Sequence, residues 1–61
     1  MDTMRVPRIL LVEDDAFIAP ALKRALEDMG YAVVHMPTAA EALDHALQHH
    51  PDLVVMDVNL G

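Results

Sequence analysis

Two similar stretches of this chain each end a short apolar run in carboxylates: Ile9-Leu10-Leu11-Val12 leads into Glu13-Asp14-Asp15, and Leu53-Val54-Val55-Met56 leads into Asp57. An uninterrupted apolar run of this length, charged only at its far end, reads as a strand buried on both faces. Ligands of open parallel sheets bind beyond the C-terminal ends of the strands. If the two strands are parallel neighbours, Glu13, Asp14 and Asp57 converge on one pocket. Two carboxylates about 4 Å apart repel by roughly 4 kcal/mol at an effective dielectric of about 20. A three-acid cluster therefore takes up a cation, takes up protons or spreads apart. Asp15 suits a different task, capping the helix that follows.

The intervening residues supply what such a pocket needs for support. A helix is expected from about Ala16 to Met29, with Ile18, Leu22, Ala25, Leu26 and Met29 on one face and Lys23, Arg24, Glu27 and Asp28 on the other. Gly30 is its expected stop. Pro20 lies inside this stretch, where it lacks an amide donor, so the helix either starts late, near Ile18, or bends in its first turn. Tyr31 to Met36 is the second strand, and Tyr31 and His35 make it the less apolar one, suited to an edge. After Pro37, Thr38-Ala39-Ala40-Glu41 has capping-box spacing and opens a second helix to about His49, with Leu43, Ala46 and Leu47 as its core stripe. Pro51 closes it, and Leu53 to Met56 is the third strand.

Helical crossovers imply parallel strands joined right-handedly. The fold class is α/β, the first half of a flavodoxin-like doubly wound sheet, β-α-β-α-β with spatial strand order 2-1-3. That order puts the helices on opposite faces and opens a crevice between strands one and three, with the acids at its mouth. The outer edge of the third strand is left uncovered, a pairing liability. We therefore expect residues 9–61 to be the N-terminal half of a larger domain, preceded by a tail over residues 1–8, and expect homo-oligomerisation through that edge.

Composition narrows the function classes. Ten acidic against four basic residues give a net charge of −6 over 61 residues, which argues against direct nucleic-acid binding. No apolar run is long enough for a membrane span or an export signal, so a cytoplasmic location is expected. No cysteine is present. A unit this small buries only about 60% of the surface its unfolded chain exposes, so a metal, a partner or further chain must support it. His45 and His49 have the i, i+4 spacing of a zinc pair but lack an evident third ligand, and are expected to face solvent. The five methionines read as gap-filling side chains.

Ile9-Leu10-Leu11-Val12-Glu13-Asp14-Asp15 resembles the opening strand and acidic pair of bacterial response-regulator receiver domains. Pro51-Asp52-Leu53-Val54-Val55-Met56-Asp57-Val58-Asn59-Leu60 resembles their phosphoacceptor strand and loop. The resemblance runs from Ile9 to Gly61 and implies a two-component signalling module that is not an enzyme in its own right. It implies that Asp57 accepts a phosphoryl group from a sensor histidine kinase or phosphotransfer protein. It further implies that Mg2+ is held by Asp14 directly, by Glu13 through water, by Asp57 and by the main-chain carbonyl of Asn59. The family's Ser or Thr after its fourth strand and Lys after its fifth have no counterparts in these residues, and Gly61 stands where a proline is usual. Asp57-Val58-Asn59 also superficially resembles the nucleophile loop of haloacid-dehalogenase-type phosphatases, but Asn59 cannot serve as that loop's second acid.

Overall fold

β1 (Arg8–Val12), α1 (Ile18–Asp28), β2 (Ala32–Met36), α2 (Ala39–His49) and β3 (Leu53–Met56) follow one another in the computed structural model, which describes residues 5–56. The strands form one parallel sheet in the order β2-β1-β3, as expected. β1 pairs from Arg8↔Ala32 to Val12↔Met36 on one side, and from Ile9↔Leu53 to Val12↔Met56 on the other. Its four apolar residues are all buried, none more than 3% exposed. Alternation divides them between two small cores. Ile9 and Leu11 join Val33 with Leu26, Tyr31 and Val55, while Leu10 and Val12 join Ala42 with Met36 and Ala46.

α1 starts at Ile18, two residues later than the Ala16 expectation, and Pro20 explains the delay. Having no N–H, Pro20 cannot bond the Ala16 carbonyl four residues back. The first helical bond, from the Ala19 amide to the Asp15 carbonyl at 3.0 Å, is thus separated from the regular helix. At the other end Gly30, at φ +99°, stops the helix as expected. The Gly30 amide bonds the Glu27 carbonyl at 2.9 Å and the Tyr31 amide bonds the Leu26 carbonyl at 3.2 Å, the paired bonds of a Schellman stop. α2 begins after Thr38, whose hydroxyl accepts from the Glu41 amide at 3.2 Å. Only half of the expected capping box forms, because the Glu41 carboxylate takes the Thr38 hydroxyl rather than its amide.

Both expected helix stripes are corrected. In α1 it is Ala19, 2% exposed, and half-buried Leu26 that meet the sheet, while Ile18, Leu22 and Met29 are 45%, 39% and 70% exposed. In α2, Ala42 and Ala46 are the contact residues, whereas Leu43 and Leu47 are 63% and 68% exposed. His45, expected to face solvent, is half-buried, and its ring stacks on His49 with centroids 4.4 Å apart. Alanines allow the closest approach of helix to sheet, so each helix turns about one residue, roughly 100°, from its bulkiest line. A sheet of three strands spaced about 4.8 Å apart is also too narrow to cover both flanks of a helix about 10 Å across. On the α2 face, Leu43 borders a shallow apolar groove with Val54 and Met56 of β3.

The chain before β1 is tied to the turn before β3. The Asp52 carboxylate accepts from the Arg8 amide at 2.7 Å and from Arg5 Nη2 at 3.0 Å, and Arg8 Nη2 donates to the His50 carbonyl at 2.9 Å. The Arg8 amide, with smaller help from the Arg5 and Arg8 charges against the opposing effect of desolvation, holds the Asp52 carboxyl below its ordinary pKa. A depressed folded-state pKa contributes stability that is present above the unfolded pKa and is lost as pH falls through the folded one. Asp52→Asn should therefore narrow the stability gap from wild type as pH falls below about 4, measured as urea midpoints across an acid series.

Candidate functional site

The C-terminal end of β1 is where the paired backbone stops and the acids begin. The last register pairs are Val12↔Met36 and Val12↔Met56. The residues joined next in sequence to the two adjacent strand ends of β1 and β3 are Glu13 and Asp57. Glu13 and Asp14 are among the described residues; Asp57 and Asn59 lie outside them.

Glu13 departs from the picture of an open acidic mouth, because it is only 3% exposed. Its carboxylate turns back on its own loop and accepts from the Asp15 amide through Oε2 at 3.2 Å. Its backbone is held from β2 at both groups: the Glu13 amide donates to the Met36 carbonyl at 3.2 Å, and His35 Nε2 lies 2.6 Å from the Glu13 carbonyl oxygen. A carbonyl can only accept, so Nε2 carries the proton in this contact. Asp14, by contrast, is exposed.

The N-cap of α1 falls at Phe17, which makes no side-chain cap bond, and Asp15, two residues earlier, serves the start of the helix in its place. Its Oδ1 accepts from the Phe17 amide at 2.8 Å and the Ile18 amide at 3.0 Å, meeting two of the donors that the start of a helix leaves free. The loop from Glu13 to Phe17 is therefore braced at both ends, with exposed Asp14 between the two braces. The sequence reading gave His35 no role, yet it makes the contact that anchors this loop to β2. No local sequence signal marks it, because the contact exists only once β1 and β2 are in register.

Among the described residues, no group of three or more His, Asp or Glu side chains gathers as a metal cluster, the stacked His45 and His49 included. Glu13 and Asp14 at the end of β1 offer oxygen donors alone, the first buried and the second exposed. That donor set fits a hard cation such as Mg2+, which takes carboxylate oxygens together with water.

A parallel sheet of this order, joined by helical crossovers, is the β-α-β-α-β half of a doubly wound α/β domain. A profile of the response regulator receiver domain matches residues 9–61, and the chain belongs to that family. It is similar to the transcriptional regulatory protein PrrA of Mycobacterium tuberculosis, 39% identical over an alignment of 61 positions that covers 98% of this chain and 26% of that protein. It is also similar to the polar-differentiation response regulator DivK of Brucella abortus, 36% identical over 52 residues, 85% of this chain and 42% of that protein. The chain thus spans less than half the length of either relative. No solved structure matches it. No helix among the described residues is long and apolar enough to cross a membrane. The family match includes Asp57-Val58-Asn59 together with Glu13 and Asp14, and so accounts for both acidic segments where the phosphatase alternative accounted for one.

Removing the Asp15 acceptor tests the bracing of the loop. Asp15→Ala should lower stability by about 1 kcal/mol, and Asp15→Asn by much less, because the amide oxygen still accepts from the first turn. Urea unfolding of the two variants beside wild type measures the difference.

Proposed function

We propose that this chain supplies the phosphoacceptor half of a response-regulator receiver module, with Asp57 taking a phosphoryl group from a sensor histidine kinase or phosphotransfer protein. The supporting observation is the parallel register of β1 and β3, whose last pair, Val12↔Met56, is followed in sequence by Glu13 on one strand and Asp57 on the other. In the transfer an Asp57 carboxylate oxygen bonds to phosphorus as the phosphorus–nitrogen bond of phosphohistidine breaks. The electron pair of that bond stays with the imidazole, which leaves as a neutral ring after taking up a proton. Asp14, with Glu13, Asp57 and the Asn59 carbonyl, would hold Mg2+. When bound, that ion offsets charge on the transferred phosphoryl oxygens. The module acts by carrying the phosphoryl group rather than by turning over a substrate.

With Mg2+ and a small acyl phosphate as donor, the intact protein should gain the mass of one phosphoryl group, localised to Asp57 by peptide mapping. Asp57→Asn should abolish the gain and Asp14→Asn should slow it by at least about tenfold. An unmodified wild-type protein under these conditions would dismiss the proposal.

A second reading concerns association, and one observation favours it. β3 is flanked by exposed apolar side chains: Leu53, Val54 and Met56 on the strand itself, with Leu43 beside it on α2. Among the described residues, β1 is the only strand that pairs with β3. A second copy placed antiparallel across a two-fold axis would continue the sheet from β3 to β3 and cover these side chains. Sedimentation velocity over a hundredfold dilution should show a reversible dimer that Val54→Lys dissociates; a folded monomer at every concentration rules the dimer out.

A further inference from the structure

In a parallel ladder a central strand bonds its neighbours through alternate residues, each of which donates to one partner residue and accepts from the residue two further along. Along β1, the residues facing β2 follow this rule. The Pro7 carbonyl accepts from the Ala32 amide at 2.9 Å, and the Glu13 amide donates to the Met36 carbonyl at 3.2 Å. The next rung would run from the Thr38 amide to the Glu13 carbonyl. It is not made, because Pro37 turns the chain out of the sheet and Thr38 becomes the cap of α2. His35 Nε2, 2.6 Å from that carbonyl, takes the place of the missing amide.

We propose that His35 is a positioning residue for the acidic loop: its Nε2–H completes the β1–β2 ladder at Glu13 and so fixes the peptide that carries Asp14. The Glu13 carbonyl belongs to the same peptide unit as the Asp14 amide, so a bond to one sets the plane of the other. The Glu13 carboxylate bonds the Asp15 amide, and the Asp15 carboxylate bonds the Phe17 and Ile18 amides. The chain of bonds therefore runs from β2 through Glu13 and Asp15 into α1, and among the described residues the His35 contact is its one hydrogen bond to β2 beyond the last backbone rung. The ring is half-buried and borders a groove with Ala16, Ala19 and Pro20 at the start of α1, so packing restrains it from turning away. Without this bond the Glu13 carbonyl is left to water, and Asp14 samples more orientations than the one that suits a cation.

The proposal deepens the phosphoacceptor reading and rests on it. The test uses the intact protein and compares wild type with His35→Gln and His35→Leu at one pH. Glutamine can place an N–H where Nε2 stands, whereas leucine fills the space with no donor. Mg2+ affinity is read from the shifts of the Asp14 and Asp15 amides in nitrogen–proton spectra. His35→Leu should weaken Mg2+ by roughly tenfold and speed hydrogen exchange at the Asp14 and Asp15 amides, with His35→Gln close to wild type in both. Equal affinities in all three proteins would overturn the proposal. So would equal weakening in both variants, which would mark a packing role, or a wild-type ring protonated at Nδ1 instead of Nε2. A wild-type protein that binds no Mg2+ sinks the receiver site itself; one that binds it while the variants bind equally well sinks only the role of His35.

Discussion

β1 has a parallel neighbour on each side and a helix over each face, and every other feature of the molecule follows from that confinement. Between its two flanking strands and two faces the stretch after Arg8 must be apolar at every residue, because no side chain from Ile9 to Val12 reaches water. Ile9, Leu10, Leu11 and Val12 meet the demand, with exposures of 3%, 1%, 1% and 0%. Charge can appear only where the ladder ends. Glu13, Asp14 and Asp15 therefore collect at one end of the sheet for a reason that precedes any function: they occupy the first positions where a carboxylate does not have to be buried among aliphatic groups. Glu13, still largely buried, shows the boundary, and its carboxylate is satisfied by the Asp15 amide.

The ends of the ladder are also where backbone groups lose their partners, and both ends of β1 show one solution. At the start of β1, the rung from the Arg8 amide to the His50 carbonyl is replaced by two side-chain bonds: Asp52 accepts from the amide, and the Arg8 guanidinium donates to the carbonyl. At the far end, His35 supplies the donor that Thr38 withholds from Glu13. A proline stands at each break. Pro51 follows His50, whose φ of +49° ends α2, and Pro37 precedes Thr38. Proline cannot extend a hydrogen-bonded strand, and the residues beside it leave the sheet. Side chains with a long reach or a ring donor restore the bonds that the turn removes.

How far the sequence could be read depended on whether a residue's environment is local. The strands, their order, Gly30 as the helix stop and Asp15 as the acceptor at the helix start were legible because each rests on a short-range rule about periodicity or on amides within a few residues. The sheet-facing sides of the helices were not. Ile18, Leu22 and Leu43 form the bulkiest stripes, but which stripe meets the sheet depends on how closely the helix can approach, and Ala19, Ala42 and Ala46 set that distance. The side-chain rungs were illegible for a related reason. Nothing near His35 in sequence marks it as the partner of Glu13, 22 positions away, because the pairing exists only once the register of β1 on β2 is set. Of the acidic site, Glu13 and Asp14 were legible as the end of a buried strand, but the inward turn of the Glu13 carboxylate was not.

Register links these scales. A shift of β1 by one residue against either neighbour would exchange the side chains of the two cores, placing Leu10 and Val12 under α1 and Ile9 and Leu11 under α2. Both sets are aliphatic and of similar size, so packing alone discriminates weakly between the two arrangements. The bonds that break the tie lie outside the apolar residues. Asp52 grips the Arg8 amide at one end and His35 grips the Glu13 carbonyl at the other, and a one-residue slip would break both contacts. The polar contacts at the two ends thus add to the packing of the two cores in holding the register. The constraint that sets Val12 level with Met36 and Met56 is reinforced by side chains that read, in the sequence, as ordinary surface residues.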